Sequence, residues 1–268
     1  MEVVIVAEPT AAGALVADRI ERLVRAKPNA GIGLATGSSP LEIYRSLIDR
    51  HRTGRVSFAE TSMYMLDEYV GLPEGHDQSY RTFLHTELLD PLDVPSERLF
   101  GPNVHADDQQ VACAEYEARL AASPIDLQIL GVGSDGHIGF NEPTSSLGSR
   151  TRVKTLTRQT RQDNARYFDS IDDVPHHVIT QGIGTILDAR HVVLIACGEA
   201  KAAAVSSLVE GPLSAMFPAS ALQLHPHATI VVDEAAAGML QLAEYYRDVH
   251  INRPAWQKLP DLANTGLQ

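Results

Sequence analysis

Residues 131–143 hold the densest group of chemically active side chains in the sequence, Gly-Val-Gly-Ser-Asp-Gly-His-Ile-Gly-Phe-Asn-Glu-Pro. Asp135, His137 and Glu142 fall within eight residues of this stretch, which we call the glycine-rich loop. An imidazole held by carboxylates is a good general acid and base near neutral pH. The pattern therefore indicates acid–base catalysis at this loop.

The glycines at 131, 133 and 136 also match G-x-G-x-x-G, the fingerprint of dinucleotide-binding folds. That fingerprint needs a helix at its third glycine and an acid about 20 residues later. Pro143 prevents a regular helix here, and basic residues stand where the acid belongs. We therefore reject a dinucleotide site. Metal binding is a weaker alternative, since no second histidine follows at ligand spacing, and we expect no metal.

A second candidate is the pair of adjacent acids Asp67 and Glu68, which follow a strand-like run at 62–66. In an extended chain successive side chains point to opposite sides. One carboxylate can therefore face a cleft as a base while the other takes a structural role. The alternative is two solvated acids at the end of a strand.

Residues 36–40, Thr-Gly-Ser-Ser-Pro, lie between a strand-like run and a helical pattern. Gly37 allows close approach to the backbone, the hydroxyls of Ser38 and Ser39 can donate, and a helix start offers free N–H groups. This construction is typical of phosphate binding. An equally good interpretation is that Ser39 only caps the helix.

Although the chain has a net charge of −12, residues 145–166 hold six bases against one acid. The bases are Arg150, Arg152, Lys154, Arg158, Arg161 and Arg166. Local positive charge on an acidic protein indicates binding of small anions, with a solvated surface as the alternative. Lys201 stands in the first turn of a predicted helix, where a bound anion would offset its conflict with the helix dipole. A solvated lysine is the alternative there.

The elements that position these candidates follow from hydrophobic periodicity. Apolar, β-branched runs predict strands at 3–7, 31–35, 62–66, 125–130, 191–196 and 229–232. Helical patterns occur at 10–26, 40–51, 80–89, 107–122, 162–168, 199–208 and 233–246. The alternation predicts an α/β fold, a doubly wound, mostly parallel sheet with helices on both faces, in a three-layer sandwich. We expect one domain over residues 1–268.

Composition excludes several classes of protein. With 268 residues, 44% of them hydrophobic, and no apolar run of about 18 residues, the chain is predicted to be globular rather than disordered or membrane-spanning. Its negative charge argues against nucleic acid or anionic lipid as partners. An acid near the N-terminus and only two cysteines, Cys113 and Cys197, favour a cytoplasmic location with buried, inert thiols.

Four stretches, taken in order, resemble the glucosamine-6-phosphate deaminase family. They are residues 36–40 (TGSSP), 66–72 (LDEYVGL), 135–143 (DGHIGFNEP) and 149–157 (SRTRVKTLT). None is specific alone, but four in register make the resemblance specific. The resemblance implies conversion of D-glucosamine 6-phosphate and water into D-fructose 6-phosphate and ammonia, with neither a metal nor an organic cofactor.

The resemblance also implies a role for each candidate residue. His137 matches the family's ring-opening base, which Asp135 and Glu142 assist. Asp67 matches the base that moves a proton from C2 to C1 of the open-chain sugar. The residues implied for the substrate phosphate are Gly37, Ser38, Ser39, Arg166 and Lys201.

Some members of the family are oligomers that N-acetylglucosamine 6-phosphate activates from a site between subunits. The matching positions are Ser145, Arg152, Lys154, Thr155 and a C-terminal tyrosine, Tyr246 or its neighbour Tyr245. We therefore expect a homo-oligomer, with a hexamer favoured, and activation by that sugar phosphate. Residues 158–173 are the candidate lid over the sugar, and residues 252–268 show little of the family pattern.

Two other functions fit the same architecture. The 6-phosphogluconolactonases share the Asp-Gly-His loop, but they lack its Asn-Glu-Pro continuation, and lactone hydrolysis needs no carbon base. A non-catalytic sugar-phosphate sensor would need the phosphate loop but not the acid–base set. Asp67 and Glu142 are therefore the features that distinguish a deaminase from both.

Overall fold

The computed structural model describes residues 1–254, apart from the side chain of Asp163. Its strands are β1 (Glu2–Val6), β2 (Gly31–Leu34), β3 (Ser62–Met65), β4 (Asp67–Val70), β5 (Leu99–Phe100), β6 (Leu127–Leu130), β7 (Arg152–Thr155), β8 (His177–Thr180), β9 (Val192–Ala196) and β10 (Ala228–Asp233). The α-helices are α1 (Pro9–Ala26), α2 (Leu41–Arg52), α3 (Tyr80–Leu84), α4 (Gln109–Ala122), α5 (Arg158–Asn164), α6 (Ile183–Leu187), α7 (Ala202–Glu210) and α8 (Ala243–Asn252).

Seven parallel strands form the central sheet, in the order β1-β10-β9-β6-β2-β3-β5. Alternate residues of β9 belong to two different hydrophobic cores. Val193 and Ile195 pack in a core with α1 and α2, whereas Val192 and Leu194 pack in a core with α4, α6 and α7. Because helices cover both faces of the sheet, the predicted three-layer α/β fold is confirmed.

All six predicted strands occur, but a second sheet was not predicted. Its three antiparallel strands are ordered β4-β8-β7. Asp67 opens β4 and is separated from β3 by Leu66 alone. These strands are four residues long, and β4 (Asp-Glu-Tyr-Val) and β7 (Arg-Val-Lys-Thr) carry charged residues. Apolar periodicity therefore has little to detect in them.

The helix predicted at 233–246 is wrong over most of its length. Asp233 ends β10, and its carboxylate accepts hydrogen bonds from the N–H groups of Ala236, at 2.8 Å, and Gly198, at 3.0 Å. The chain then turns, and α8 begins only at Ala243. An aspartate that binds nearby backbone donors favours a turn over a continuing helix.

Three other predicted helices change type or boundary. The one predicted at 80–89 continues from α3 as a π-helical turn at His85–Leu89. The one at 162–168 begins earlier as α5 and ends in a 3-10 turn at Ala165–Tyr167. The one at 199–208 opens with a 3-10 turn at Glu199–Lys201. Single-turn variations of this kind leave the hydrophobic spacing almost unchanged, so sequence patterns do not distinguish them.

The order of the central sheet brings the candidate residues to one edge. Strands β9, β6, β2 and β3 are consecutive neighbours, and each is followed directly by one of the candidate segments. Carboxyl ends of parallel strands share an edge, where ligands of α/β sheets bind. None of the helices found in residues 1–254 is long and apolar enough to cross a membrane.

Candidate active site

Asp135 and His137 form a close pair in the glycine-rich loop. Nδ1 of His137 lies 2.7 Å from Oδ1 of Asp135, and the backbone N–H of His137 donates to the same oxygen at 3.2 Å. The contact with His137 lowers the pKa of Asp135. Because Nδ1 is the ring nitrogen in contact with this carboxylate, Nε2 is left for proton exchange with a ligand.

Gly133 provides the space that the imidazole occupies. A β-carbon on Gly133 would lie only 2.2 Å from Cε1 of His137, so any larger residue would displace the ring. The N–H of Gly133 also donates to the carbonyl oxygen of His137 at 3.0 Å. The glycines of the loop thus fix the position of the histidine.

Asp67 lies against the same loop. It is 4% exposed, and a β-carbon on Gly139 would lie 3.4 Å from its Oδ2. Within the described part of the chain, its Oδ1 has no hydrogen-bond partner. Burial, together with the charge of Glu68, raises the pKa of Asp67 to about 8. A carboxyl group with this pKa exchanges protons close to neutral pH, as a general base must.

Glu68 has the opposite role in the pair. Its Oε1 accepts hydrogen bonds from the N–H groups of Tyr69, at 2.8 Å, and Tyr80, at 2.9 Å. Its Oε2 accepts from the N–H of Arg81 at 2.8 Å. Glu68 therefore binds the first turn of α3, and the two adjacent acids face different surroundings, as the extended chain predicted.

Glu142 connects the glycine-rich loop to the candidate lid. Its Oε1 accepts a hydrogen bond of 2.5 Å from the hydroxyl of Thr160 in α5. In addition, Asn164, at the end of α5, donates from Nδ2 to the hydroxyl of Tyr69 at 2.9 Å. The candidate lid is thus held at two points beside Asp67 and the loop. Thr160 and Asn164 were not singled out from the sequence, because isolated polar residues on a short helix give no distinctive pattern.

The phosphate-loop candidates lie at the start of α2. Gly37 has a φ of +83°, a conformation that favours glycine, and Ser38 is exposed. In the described structure no side chain caps α2, whose N-cap is Pro40, so the capping alternative for Ser39 is wrong. The hydroxyl of Ser39 lies instead beside Gly131, 3.2 Å from where a β-carbon on that glycine would be. The phosphate loop therefore meets the start of the glycine-rich loop.

Lys201 and Arg166 reach this region to different extents. Nζ of Lys201 donates to the carbonyl oxygen of Val132 at 2.8 Å, and burial lowers its pKa while the charge of Asp135 opposes that shift. Lys201 is thus joined to the glycine-rich loop. Arg166 is exposed, with its guanidinium over the ring of Tyr167 at 4.7 Å. The structure does not bring Arg166 against the serines.

Part of the basic segment has structural partners. Arg150 pairs with Glu117 and with Asp188, each at 2.6 Å. Arg161 donates from Nη2 to the carbonyl oxygen of Ile171 at 2.6 Å, inside the candidate lid. These two bases hold the segment together, so they contribute less to anion binding than the sequence count indicated.

A sequence profile of the family described as glucosamine-6-phosphate isomerases/6-phosphogluconolactonase matches residues 7–231. The chain belongs to this family. Its similar relatives include proteins named glucosamine-6-phosphate deaminase from Streptomyces coelicolor, at 58% identity over 96% of this chain and 99% of the relative, and from Mycolicibacterium smegmatis, at 54% identity over 96% and 99%.

Solved structures of the glucosamine-6-phosphate isomerase/6-phosphogluconolactonase family have the same architecture. A structure described as a monomeric glucosamine-6-phosphate deaminase is 42% identical, with a TM-score of 0.86 over 89% of this chain and 100% of that one. The 6-phosphogluconolactonase of Trypanosoma brucei is 20% identical, with a TM-score of 0.70 over 88% and 97%. The second likeness concerns the fold alone.

In this family member, three of the five residues matched to a second phosphate site lie on β7. Ser145 is buried, and its Oγ has no hydrogen-bond partner among the described residues. Arg152 donates to Oδ1 of Asn141 at 2.9 Å, while Lys154 is half-buried and Thr155 is exposed. Arg152 therefore joins β7 to the glycine-rich loop.

Tyr246 is the fifth residue matched to that site. It lies on α8, which packs on β1, the edge strand at the far end of the central sheet from β3. Its ring packs on the core that contains α7, and Tyr245 beside it is 60% exposed. Tyr246 also interacts with Glu210 at the end of α7.

Proposed function

We propose that the protein catalyses the isomerising deamination of D-glucosamine 6-phosphate to D-fructose 6-phosphate and ammonia. The observation that carries the proposal is Asp67, a buried carboxyl group with a raised pKa beside an Asp–His pair. Relatives named glucosamine-6-phosphate deaminase at 54–58% identity support the same substrate. The substrate class is therefore an amino-sugar phosphate.

The reaction would begin with opening of the sugar ring. Nε2 of His137 takes the proton of the anomeric hydroxyl, and the same proton is returned to the ring oxygen as the ring C–O bond breaks. Asp135 orients the imidazole through the 2.7 Å contact. Because one imidazole both accepts and donates, it needs a fixed tautomer, which Asp135 provides. Glu142 assists from the same loop.

Asp67 would act on the open-chain sugar. Its carboxylate removes the proton from C2 and delivers it to C1, while O1 gains a proton and the amino group loses one. The amino-aldehyde thereby becomes a ketose imine with a hydroxyl group on C1. Water then adds to C2, and ammonia leaves. No external oxidant or reductant is required, since C1 is reduced while C2 is oxidised in the same molecule.

The substrate phosphate would bind between the start of α2 and Lys201. Ser38 and Ser39 supply hydroxyls, Gly37 permits close approach of the backbone, and the helix terminus contributes its N–H groups. The contact of Lys201 with Val132 sets its charge beside the glycine-rich loop. Arg166 would reach the phosphate from the candidate lid.

A balanced product assay tests the proposed function. Glucosamine 6-phosphate is incubated with the protein and a metal chelator, and ammonia and ketose phosphate are both measured. We expect equal amounts of the two products. Absence of ammonia, or hydrolysis of 6-phosphogluconolactone in a parallel assay, would contradict the proposal.

We further propose regulation and assembly of the kind seen in oligomeric members of the family. Two features support a second sugar-phosphate site: the hydroxyl of buried Ser145, which has no hydrogen-bond partner in residues 1–254, and the half-buried Arg152. Leu242, Tyr245 and Val249 form an exposed apolar stripe along α8 that favours contact with another copy. N-acetylglucosamine 6-phosphate should convert a sigmoidal rate curve into a hyperbolic one. Hyperbolic kinetics that this ligand does not alter would contradict activation.

A cytoplasmic location and a single domain over residues 1–268 also remain proposals. Both cysteines are free, and burial raises the pKa of the Cys113 thiol and, to about 11, that of Cys197. Unreactive free thiols suit a reducing compartment. Cell fractionation tests the location, and limited proteolysis tests the domain.

A further inference from the structure

A short loop about 80 residues later in the sequence packs against the glycine-rich loop. Residues 214–219, which we call the strap, include the first two residues of the buried 3-10 helix Pro218–Leu224. The ring of Phe217 lies flat against Gly136, the residue between Asp135 and His137. A β-carbon on Gly136 would be 2.6 Å from three carbons of that ring.

Two backbone hydrogen bonds reinforce this contact. The N–H of Ala219 donates to the carbonyl oxygen of Gly136 at 2.8 Å, and the N–H of Thr144 donates to the carbonyl oxygen of Ala215 at 2.8 Å. The strap thus contacts the glycine-rich loop at Gly136, and it contacts the chain again at Thr144, two residues after Glu142. His137 and Glu142 lie between these two points, and Asp135 immediately precedes the first of them.

The backbone at both points has an unusual conformation. Gly136 has a φ of +85°, and Thr144 has a φ of +75°, the only positive φ of a non-glycine residue in the described part of the chain. A β-branched residue in this region costs on the order of 1–3 kcal/mol, which neighbouring contacts must offset. The hydrogen bond from Thr144 to Ala215 and the Phe217 ring are contacts of that kind.

The strap itself is internally fixed. Ser220 is fully buried, and its Oγ accepts from the N–H of Ser214 at 2.9 Å and donates to the carbonyl oxygen of Ser214 at 3.1 Å. The N–H of Phe217 donates to the same carbonyl oxygen at 3.0 Å. Because the strap is anchored in the core, it can hold the loop rather than follow it.

We propose that Phe217 is a positioning residue, which holds Gly136 in its left-handed conformation and thereby sets the separation of Asp135 and His137. The expected effect on kinetics rests on the proposed function. The expected effect on the separation of Asp135 and His137 does not depend on the substrate. Phe217 acts through Gly136 and has no role in the reaction as an acid, a base or a phosphate ligand.

Kinetics of Phe217→Ala provide the first test. Loss of the ring should lower kcat by about tenfold or more, while KM stays within about threefold, because a displaced acid–base pair affects chemistry more than phosphate binding. The pKa of Asp135 should rise at the same time, since a loosened contact with His137 stabilises its carboxylate less. Phe217→Tyr, which keeps the ring, should restore both values.

Met216→Ala is the matched control, because Met216 is the neighbouring residue and its side chain is 63% exposed. It should leave kcat, KM and the pH profile unchanged. Wild-type kinetics in Phe217→Ala, or an equal loss in Met216→Ala, would overturn the proposal. Thermal unfolding confirms that each variant is folded, and Phe217→Leu replaces the alanine variant if that one is not.

A second measurement separates this inference from the proposed function. The carboxyl carbon of Asp135 is titrated by NMR in protein labelled at aspartate, and Asp135→Asn identifies the signal. Phe217→Ala should raise the pKa of Asp135, and Met216→Ala should not. This result stands even if the wild-type protein releases no ammonia, whereas an unchanged pKa of Asp135 in Phe217→Ala refutes the role of the strap.

Discussion

At the scale of single residues, two neighbouring acids with opposite environments explain most of the chemistry. Glu68 accepts three backbone hydrogen bonds, whereas Oδ1 of Asp67 has none within the described structure. Burial raises the pKa of both carboxyl groups. The backbone donors of Glu68 nevertheless stabilise its charged form, so Asp67 is the member suited to exchange protons.

Asp67→Asn should abolish turnover and leave binding intact. A carboxamide cannot accept the C2 proton, so kcat should fall by at least about 1,000-fold. Binding of the substrate, measured by calorimetry, should stay within a few-fold of wild type. Near-normal ammonia release from this variant would show that another group is the base.

The same substitution should also change how stability depends on pH. In the folded protein the pKa of Asp67 is about 8, whereas an unfolded chain ionises near its ordinary value. The folded state therefore holds an extra proton between about pH 4 and pH 8, and stability is lost as pH rises through this window. Relative to wild type, the unfolding free energy of Asp67→Asn should rise by about 1.4 kcal/mol per pH unit there. Urea unfolding at a series of pH values measures this slope. If the unfolding free energies of wild type and Asp67→Asn changed in parallel with pH, the raised pKa of Asp67 would be contradicted.

Arg166→Ala should affect binding rather than chemistry. Loss of one charge-assisted phosphate contact should raise KM roughly 30-fold with little change in kcat. Arg158→Ala is the control, because Arg158 is an exposed arginine of the same segment. If KM is unchanged in Arg166→Ala, or rises equally in Arg158→Ala, Arg166 has no specific role at the phosphate.

At the scale of elements, the small second sheet joins the strand that follows β3 to the glycine-rich loop. Asp67 is paired with Thr180 of β8, and the Thr180 hydroxyl accepts the N–H of Phe140 at 3.1 Å. The glycine-rich loop is therefore joined to the strand that carries the base. The next residue, Glu68, joins that strand to α3, so one dipeptide serves both chemistry and architecture.

Glu68→Ala should destabilise the protein through α3. It would leave three buried or half-buried N–H donors without their acceptor, at a cost of about 2–3 kcal/mol. Glu74→Ala, at an exposed position in the preceding turn, should change stability by less than about 0.5 kcal/mol. Urea denaturation compares the two. Equal effects would mean that the contacts of Glu68 contribute nothing specific.

At the scale of the whole molecule, two observations on assembly point in opposite directions. The similar solved structure at 42% identity is described as monomeric, whereas the exposed stripe on α8 favours a partner. The family resemblance implies a second phosphate site between subunits, so we expect that site to require neighbouring copies of the chain. The proposed activation therefore requires the proposed assembly.

Sedimentation equilibrium measures the assembly directly. We expect a mass six times the 29.1 kDa of one chain, and Val249→Glu should reduce it by placing a charge in the apolar stripe. Val111→Glu, at another exposed valine, is the control and should leave the mass unchanged. A wild-type mass of 29.1 kDa at all concentrations would contradict both the hexamer and the intersubunit activator site.

The amino-acid sequence alone determined the central architecture and the list of candidate residues. Six apolar strands and most helices could be predicted because buried parallel strands and amphipathic helices have strong, local hydrophobic patterns. The four motifs could be matched to a family because each is a contiguous run of residues. Residues 255–268, part of the tail from 252 to 268, lie outside the described structure.

Only the tertiary structure decided how those residues are used. The pKa of Asp67, the capping role of Glu68 and the link from Glu142 to Thr160 depend on contacts between segments far apart in the chain. The strap against Gly136 joins residues about 80 positions apart in the same way. Periodicity reports which side of an element is buried, but not which partner buries it, and the chemistry of this site depends on the partners.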